Sequence, residues 1–246
     1  MRHLKLDDPQ LTAHRGQILK DKKFLRKLYI DWYNLIDRTI ESSSGIKIEM
    51  GSGAGFIEEE IGHIFKSDIL MVPNIHLVLD SMACPFMDES VTALVMVDVL
   101  HHLAGAECFF EEAQRILVNG GQIVMIEPWI TAWSKNVFRY LHYEPIDTEM
   151  ESWHFTTSGP LSGANEALPW IIFERDRQKF EKKYPSLKIA EILPIMPFRY
   201  LLSGGMSTRI SAPEWSYPVV KFLDRVFKEQ LAKAAMFALI VLQKTK

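Results

Sequence analysis

Residues 46–56 read I-K-I-E-M-G-S-G-A-G-F, an apolar alternation at Ile46, Ile48 and Met50 that runs into three glycines, Gly51, Gly53 and Gly55. No other stretch constrains the fold as much. A strand that ends in closely spaced glycines can turn through positive φ and lay bare backbone against a ligand. The following residues place apolar side chains at 56, 57, 61, 64 and 65, the spacing of one helical face. The expected unit is strand, glycine turn, helix, and free N–H groups at the helix start would favour phosphate or carboxylate. A dinucleotide site would use G-x-G-x-x-G. Here the third glycine comes one residue early, Phe56 takes its place, and the acidic Glu49 lies outside that fingerprint. By itself the loop fits a ligand cradle and an empty βα turn equally well.

Further along, the chain alternates between strand and helix patterns. A short N-terminal arm precedes an amphipathic helix over 20–40, which Ser42-Ser-Ser-Gly45 ends. Strands are expected at Ser67–Met71, Ile75–Asp80, Val91–Val97, Gln122–Ile126, Leu187–Leu193 and Met236–Gln243, and helices at Glu107–Leu117, Ile171–Tyr184 and Tyr217–Lys233. Val91–Val97 is a continuous apolar run, as in a strand buried on both faces. Between the second and third strands only Val72-Pro-Asn74 intervenes, although parallel neighbours ordinarily need a crossover of about a dozen residues. Either the crossover is compressed or the second strand is vestigial. Residues 130–170 lack a long periodic segment and carry Trp133, Trp153 and Trp170, which reads as a lid with the substrate pocket.

This pattern implies an α/β, Rossmann-like, doubly wound and mostly parallel sheet of about seven strands, with helices on both faces and an aromatic-rich lid insertion. The 246 residues suit one domain, divided into an arm (1–45), a ligand-binding core (46–128), the lid (129–170) and the rest of the sheet (171–246). A net charge of −3 argues against a broad basic face for nucleic acid. Cys84 and Cys108 have neither zinc spacing nor a disulfide framework, no metal-ligand spacing is visible, and no apolar run reaches the roughly 20 residues of a membrane span. Without an apolar leader, a soluble, cytoplasmic chain is the expectation.

In such a sheet ligands sit beyond the carboxyl ends of the strands, and there the acidic residues gather. The ends are Glu49–Gly55, Asp68, Asp80, Asp98–His102 and Glu127-Pro-Trp129. With these residues the chain resembles the class I S-adenosylmethionine-dependent methyltransferases of the small-molecule type, over about Ile46–Pro128. E-M-G-S-G-A-G resembles their first motif, and L-D-S-M-A-C-P-F-M-D-E-S their adenine segment. V-M-V-D-V-L-H-H-L resembles the fourth strand and its exit, and R-I-L-V-N-G-G-Q-I-V-M-I-E-P the turn into the fifth strand. The missing helix between strands two and three is a departure that bears most on Asp68.

The resemblance implies S-adenosyl-L-methionine as cofactor. Gly51, Ser52, Gly53 and Gly55 would lie along its methionine tail with Glu49 at the ammonium. Asp68 and Ile69 would meet the ribose, Asp80, Ser81 and Met82 the adenine, and Asp98 and Val99 the methionyl side. Its last strand would run antiparallel. Asp68 and Asp80 could equally be helix or turn caps. For an acceptor hydroxyl, His101 and His102 are the first choices as general base and His154 the second, while His101 and His102 could instead cap a helix or bond a carbonyl. Glu127 could pair with a lid residue. A small-molecule or sugar-like acceptor, set by the lid and Arg199–Arg209, is the expected partner, without nucleic acid. A scaffold protein that binds cofactor without chemistry and a nicotinamide-dependent oxidoreductase remain as alternatives.

Overall fold

The computed structural model describes residues 7–40, 44–142, 144–206 and 211–246. The first six residues of the arm, Ser42-Ser43 of the expected helix stop and residues 207–209 of the Arg199–Arg209 loop lie outside them. Seven strands form one sheet: β1 (Lys47–Met50), β2 (Ile64–Asp68), β3 (Leu77–Val78), β4 (Val91–Val97), β5 (Leu117–Pro128), β6 (Leu187–Ile195) and β7 (Phe237–Lys244). Their order is β3-β2-β1-β4-β5-β7-β6. All neighbours are parallel except β7, which runs antiparallel to both β5 and β6. The reversal of order beside β1 opens the crevice in which such sheets bind ligands.

Both faces of the sheet are covered, which explains why the central strands read as unbroken apolar runs. Leu94 and Met96 of β4 join Phe110, Ile171 and Phe180 on one side. Val95 faces the other way, onto Phe24, Leu28 and Trp32 of α2 (Lys23–Thr39). The same alternation runs through β7, with Ala238, Ile240 and Leu242 on the first side and Phe237, Leu239 and Val241 on the second.

The expected helix over 56–65 is absent. A single 3-10 turn, Ile57–Glu59, follows the glycine loop, and β2 already starts at Ile64. Gly62 and the left-handed His63 (φ 57°) end any helical path after one turn. Phe56, Ile57, Ile61 and Ile64 are nonetheless buried, in the same apolar layer as Tyr33 of α2, so the helical spacing of apolar residues serves packing without forming a helix. The link from β2 to β3 is a compressed crossover over 69–76, since Ser67 pairs with Leu77 and Asp68 with Val78. His76 closes it from both sides: its N–H donates to the Lys66 carbonyl and its Nδ1 accepts the Lys66 N–H, each at 2.9 Å.

Three consecutive buried polar side chains of β2 hold the glycine loop where a helix would otherwise anchor it. Lys66, only 1% exposed, donates to the Gly55 carbonyl at 2.7 Å and to Glu58 at 3.1 Å. Ser67 Oγ donates to the Glu49 carbonyl at 2.8 Å. Asp68 accepts the Gly53 N–H on one oxygen and the Leu70 N–H on the other, both at 2.9 Å.

Elsewhere the elements shift more than they change. The arm is helical, as α1 (Pro9–Asp21), with Asp8 accepting the Gln10 N–H at its start; α2 then begins at Lys23. Helix α3 spans Ala106–Ile116, and Asn119-Gly-Gly121 lies within β5, opposite the register shift between Val91 and Ala93, and not before it. The stretch expected to be unpatterned contains α4 (Ala132–Leu141), started by a reciprocal Thr131–Ser134 cap. Residues 168–183 comprise α5 (Leu168–Trp170), a π-helical turn at Ile171–Arg175 and α6 (Arg177–Lys183). After α7 (Arg199–Ser203), the last expected helix divides into α8 (Tyr217–Val226) and α9 (Lys228–Ala232). No helix among the described residues is long and apolar enough to cross a membrane.

Replacing Lys66 by Met keeps the aliphatic stem but removes the donor to Gly55 and Glu58. We expect Lys66→Met to lose about 1–3 kcal/mol of stability, as for buried polar groups left without a partner, read as a lower urea midpoint at unchanged slope. An unchanged midpoint would mean that the loop is held by something else.

Candidate active site

The carboxyl ends of β1 to β4 surround one cleft. Glu49, Gly51, Ser52, Gly53 and Gly55 line it from the β1 end, Asp68 and Ile69 from β2, Asp80, Ser81 and Met82 from β3, and Asp98, Val99 and His102 from β4. Twelve expected cofactor contacts thus meet in one place, together with His102. Thr12, Arg15 and Leu19 of α1, Tyr29 and Tyr33 of α2, and Tyr200 and Met206 also border the cleft. The helical arm therefore closes the site alongside the insertion.

At the β1 end the backbone is shaped for close approach. Gly51 (φ 65°) and Gly53 (φ 50°) are left-handed, and a Cβ on Gly51 would meet both Val99 methyls at 2.9 Å. Glu49 is 2% exposed, and its Oε2 has no hydrogen-bond partner among the described residues. Burial pushes its carboxyl up to about 7, against the opposing influences of Ser52 and Lys66. A lone buried carboxylate oxygen calls for a donor. The expected helix N-terminus for the ligand's carboxylate does not exist here, because one 3-10 turn stands in its place. Moreover, the N–H groups of Ser52, Gly53, Gly55 and Phe56 bond to Ser67, Asp68, Ser52 and Tyr33 respectively. Among the described residues lining the cleft, Arg15 is the one Lys or Arg side chain.

Asp68 and Asp80 do act as local caps, Asp80 accepting the Met82 N–H at 2.8 Å. Each carboxylate oxygen has a second lone pair, so capping leaves acceptor capacity toward the cleft.

Beyond β4 the chain is held by Glu127, at the end of β5 and fully buried. Its Oε1 accepts the Val99 and Leu100 N–H groups at 2.8 and 2.7 Å, and its Oε2 lies 2.9 Å from His101 Nδ1. Glu127 thus pairs with the β4 exit and not with the lid. Asp98 adopts φ 63° just before this clamp, a costly conformation for a non-glycine residue. Burial, with Glu166, Glu144 and Glu127 in support and His101 opposing, raises its carboxyl to about 7.

His101 and His102 separate in role. His101 is 1% exposed, and its second nitrogen lies 3.3 Å from Glu144. Burial opposes a charged ring, but the bonds to Glu127 and Glu144 outweigh it and hold His101 well above the usual imidazole range. Both His101 nitrogens are engaged, and His101 does not line the cleft. His102 faces the cleft. Burial and the charged His101 beside it lower its pKa to about 4, so its ring is neutral at pH 7. Its Nδ1 is 3.1 Å from the Gly163 carbonyl and can donate there, leaving the Nε2 lone pair 3.8 Å from Glu144.

Other expectations do not converge here. His154 is exposed and outside the cleft lining, held by a bridge to Gly105. Trp153 is buried in the main core with its Nε1 on Asp176, Trp133 donates to the Pro197 carbonyl, and neither they nor Trp170 line the cleft. Arg199 ties α7 to α2 and α8 through Asp31, Tyr217 and Asp224 and does not reach the cleft; Tyr200 and Met206 do. Sequence reasoning missed Arg15, Glu144 and Glu166 and could not place His142. Their positions depend on loops and an arm without a periodic pattern.

Residues 65–125 match the family model described as a methyltransferase domain. Geranyl diphosphate C-methyltransferase from Streptomyces coelicolor A3(2), solved with Mg2+, geranyl diphosphate and S-adenosyl-L-homocysteine, superposes with a TM-score of 0.54 at 12% identity, over 98% of this chain and 87% of that one. The fold is that of the S-adenosylmethionine-dependent methyltransferases. A methyltransferase in complex with the Haloferax volcanii Trm112 activator gives a TM-score of 0.55 at 17% identity over 98% of each chain. The [4+2]-cyclase SpnF gives 0.51 at 12% over 88% of this chain and 80% of that one. At such identities the likeness is one of fold. No curated protein sequence matches the chain.

Glu49 is the titrating group expected to give cofactor binding a pH dependence. Its carboxyl, near 7, is protonated and of little use to an ammonium below that pH and charged above it. S-adenosylhomocysteine should bind about tenfold more tightly at pH 8 than at pH 6, and Glu49→Gln should flatten the profile. Calorimetric titration at the two pH values checks this, and a wild-type affinity independent of pH would contradict it.

Proposed function

We propose that the chain transfers the methyl group of S-adenosylmethionine to a small, polar acceptor bound between the β4 exit and the roof of the cleft. The observation that carries this reading is the unpartnered, buried Glu49 oxygen beside the glycine loop, in one cleft with Asp68 and Asp80. These three places suit the ammonium, ribose and adenine of one molecule. In the same reading Arg15 takes the carboxylate, Met82 forms the apolar wall of the adenine pocket, and Asp98 and Val99 flank the sulfonium.

The cofactor supplies the activated methyl group, so the protein's task is alignment and exclusion of water. The left-handed Asp98 and the Glu127 clamp fix the loop on which the acceptor approaches. Tyr29, Tyr33, Tyr200 and Leu161 close the cleft over it. His102, neutral and facing the cleft, is the side chain placed to take a proton from an acceptor hydroxyl. The enclosure supports a small acceptor, and the carboxylates Asp98 and Glu144 on its wall disfavour a polyanion. A nicotinamide oxidoreductase loses its footing with the helix that would take the pyrophosphate.

S-adenosylhomocysteine titrated against NAD in the same calorimeter separates these cofactors, and only the first should bind. Asp80→Ala should weaken it by about 1–3 kcal/mol, roughly tenfold or more. Incubation with S-adenosylmethionine and a panel of small hydroxylated acceptors, read as S-adenosylhomocysteine formation, tests the transfer. Tight binding with no turnover across a broad panel would favour a cofactor-binding scaffold.

A further inference from the structure

At the acceptor end of the cleft three side chains from two places in the chain turn toward one point. His142 ends α4, Glu144 follows two residues later, and Glu166 precedes α5. Their ligand atoms lie within 4.8 Å of one another. His142 and Glu144 line the cavity, whereas Glu166 is 2% exposed behind them. One Glu166 oxygen lies 2.8 Å from His142 Nδ1, and its other oxygen, Oε2, is buried without a hydrogen-bond partner.

The backbone around Glu166 is fixed independently of these contacts. Its N–H donates to the Pro145 carbonyl at 3.0 Å, and Asn165 before it spans the Asp147 N–H and carbonyl at 2.9 Å each. The Asn165 N–H donates to the His101 carbonyl at 2.9 Å. The loop therefore holds Glu166 in place against the β4 exit.

Charge balance points the same way. Asp98, Glu127, Glu144 and Glu166 crowd around His101 and His142, and the principal charges acting on these groups are one another's, with no Lys or Arg among them. Four carboxyl groups gather here around two ionisable imidazoles, and a cation is one partner that satisfies such a cluster.

We propose that His142, Glu144 and Glu166 bind one divalent metal ion at the acceptor end of the cleft. Two carboxylates and one imidazole make a mixed oxygen and nitrogen set that suits a first-row ion such as Mn2+. Three protein ligands leave positions open toward the cavity, where water or an oxygen of the acceptor completes the shell. Its service to the acceptor rests on the methyl-transfer reading above, but binding of the ion does not.

The test is titration of the chelator-stripped full chain with Mn2+, followed by electron paramagnetic resonance of the free ion, with S-adenosylhomocysteine calorimetry on the same preparations. One Mn2+ should bind per chain, and Glu166→Gln and Glu144→Gln should each weaken it at least tenfold. Both variants should still bind S-adenosylhomocysteine, which shows that they fold and that the cofactor pocket is a separate matter. Absence of stoichiometric binding by wild type, or undiminished binding by both variants, would overturn the metal site and leave a network of His–Glu ion pairs. Mn2+ binding without S-adenosylhomocysteine binding would uphold the metal site while the methyl-transfer reading fails.

Discussion

The geometry of the cleft depends on the bond pattern that β2 imposes on the glycine loop. In an α/β unit the turn after the first strand is normally backed by a helix, whose own hydrogen bonds fix where the glycines lie. This chain has one 3-10 turn instead. Lys66, Ser67 and Asp68 reach across from the neighbouring strand and hold Gly55, Glu49 and Gly53 by their backbone groups. All three side chains are buried, so these bonds are shielded from competing water. The shortened crossover to β3 follows the same economy, with the His76 ring replacing a ladder bond to Lys66.

Around that frame the cleft divides electrostatically. At the β1 end Glu49 is a buried carboxylate with an unpartnered oxygen, suited to a cationic group. At the β4 end several carboxylates and histidines are packed together, and Glu127 binds the loop backbone and His101 at once. The two ends therefore do different work. In the proposed reading one side recognises the cofactor by a single missing partner, and the other holds a strained loop, with Asp98 left-handed, where the acceptor would approach.

Much of this was legible in the sequence where local pattern and tertiary role coincide. The unbroken apolar run of β4 required cover on both faces, and acidic residues at successive strand ends pointed to one crevice. The helix over 56–65 was misread because Phe56, Ile57, Ile61 and Ile64 have helical spacing, whereas packing against α2 satisfies them without a helix. Helix α4 was missed because its start depends on the Thr131–Ser134 cap more than on a long apolar stripe. The tryptophans of the insertion mark core and scaffold contacts, not a pocket, since aromatic content does not tell which way a side chain turns. His101 and His102 are adjacent in sequence, and only the placement of Glu127 and Glu144 separates a locked imidazolium from a neutral ring. Arg15, Glu144 and Glu166 converge through loops and the arm, where no period exists to be read.

The most direct measurement is a crystal structure of the chain grown with S-adenosylhomocysteine. The account predicts density for one molecule along the strand ends, with its ribose hydroxyls on Asp68, its adenine amino group at Asp80 and its ammonium against the open oxygen of Glu49. Density for the nucleoside elsewhere, or a Glu49 carboxyl still without a partner in the complex, would contradict it.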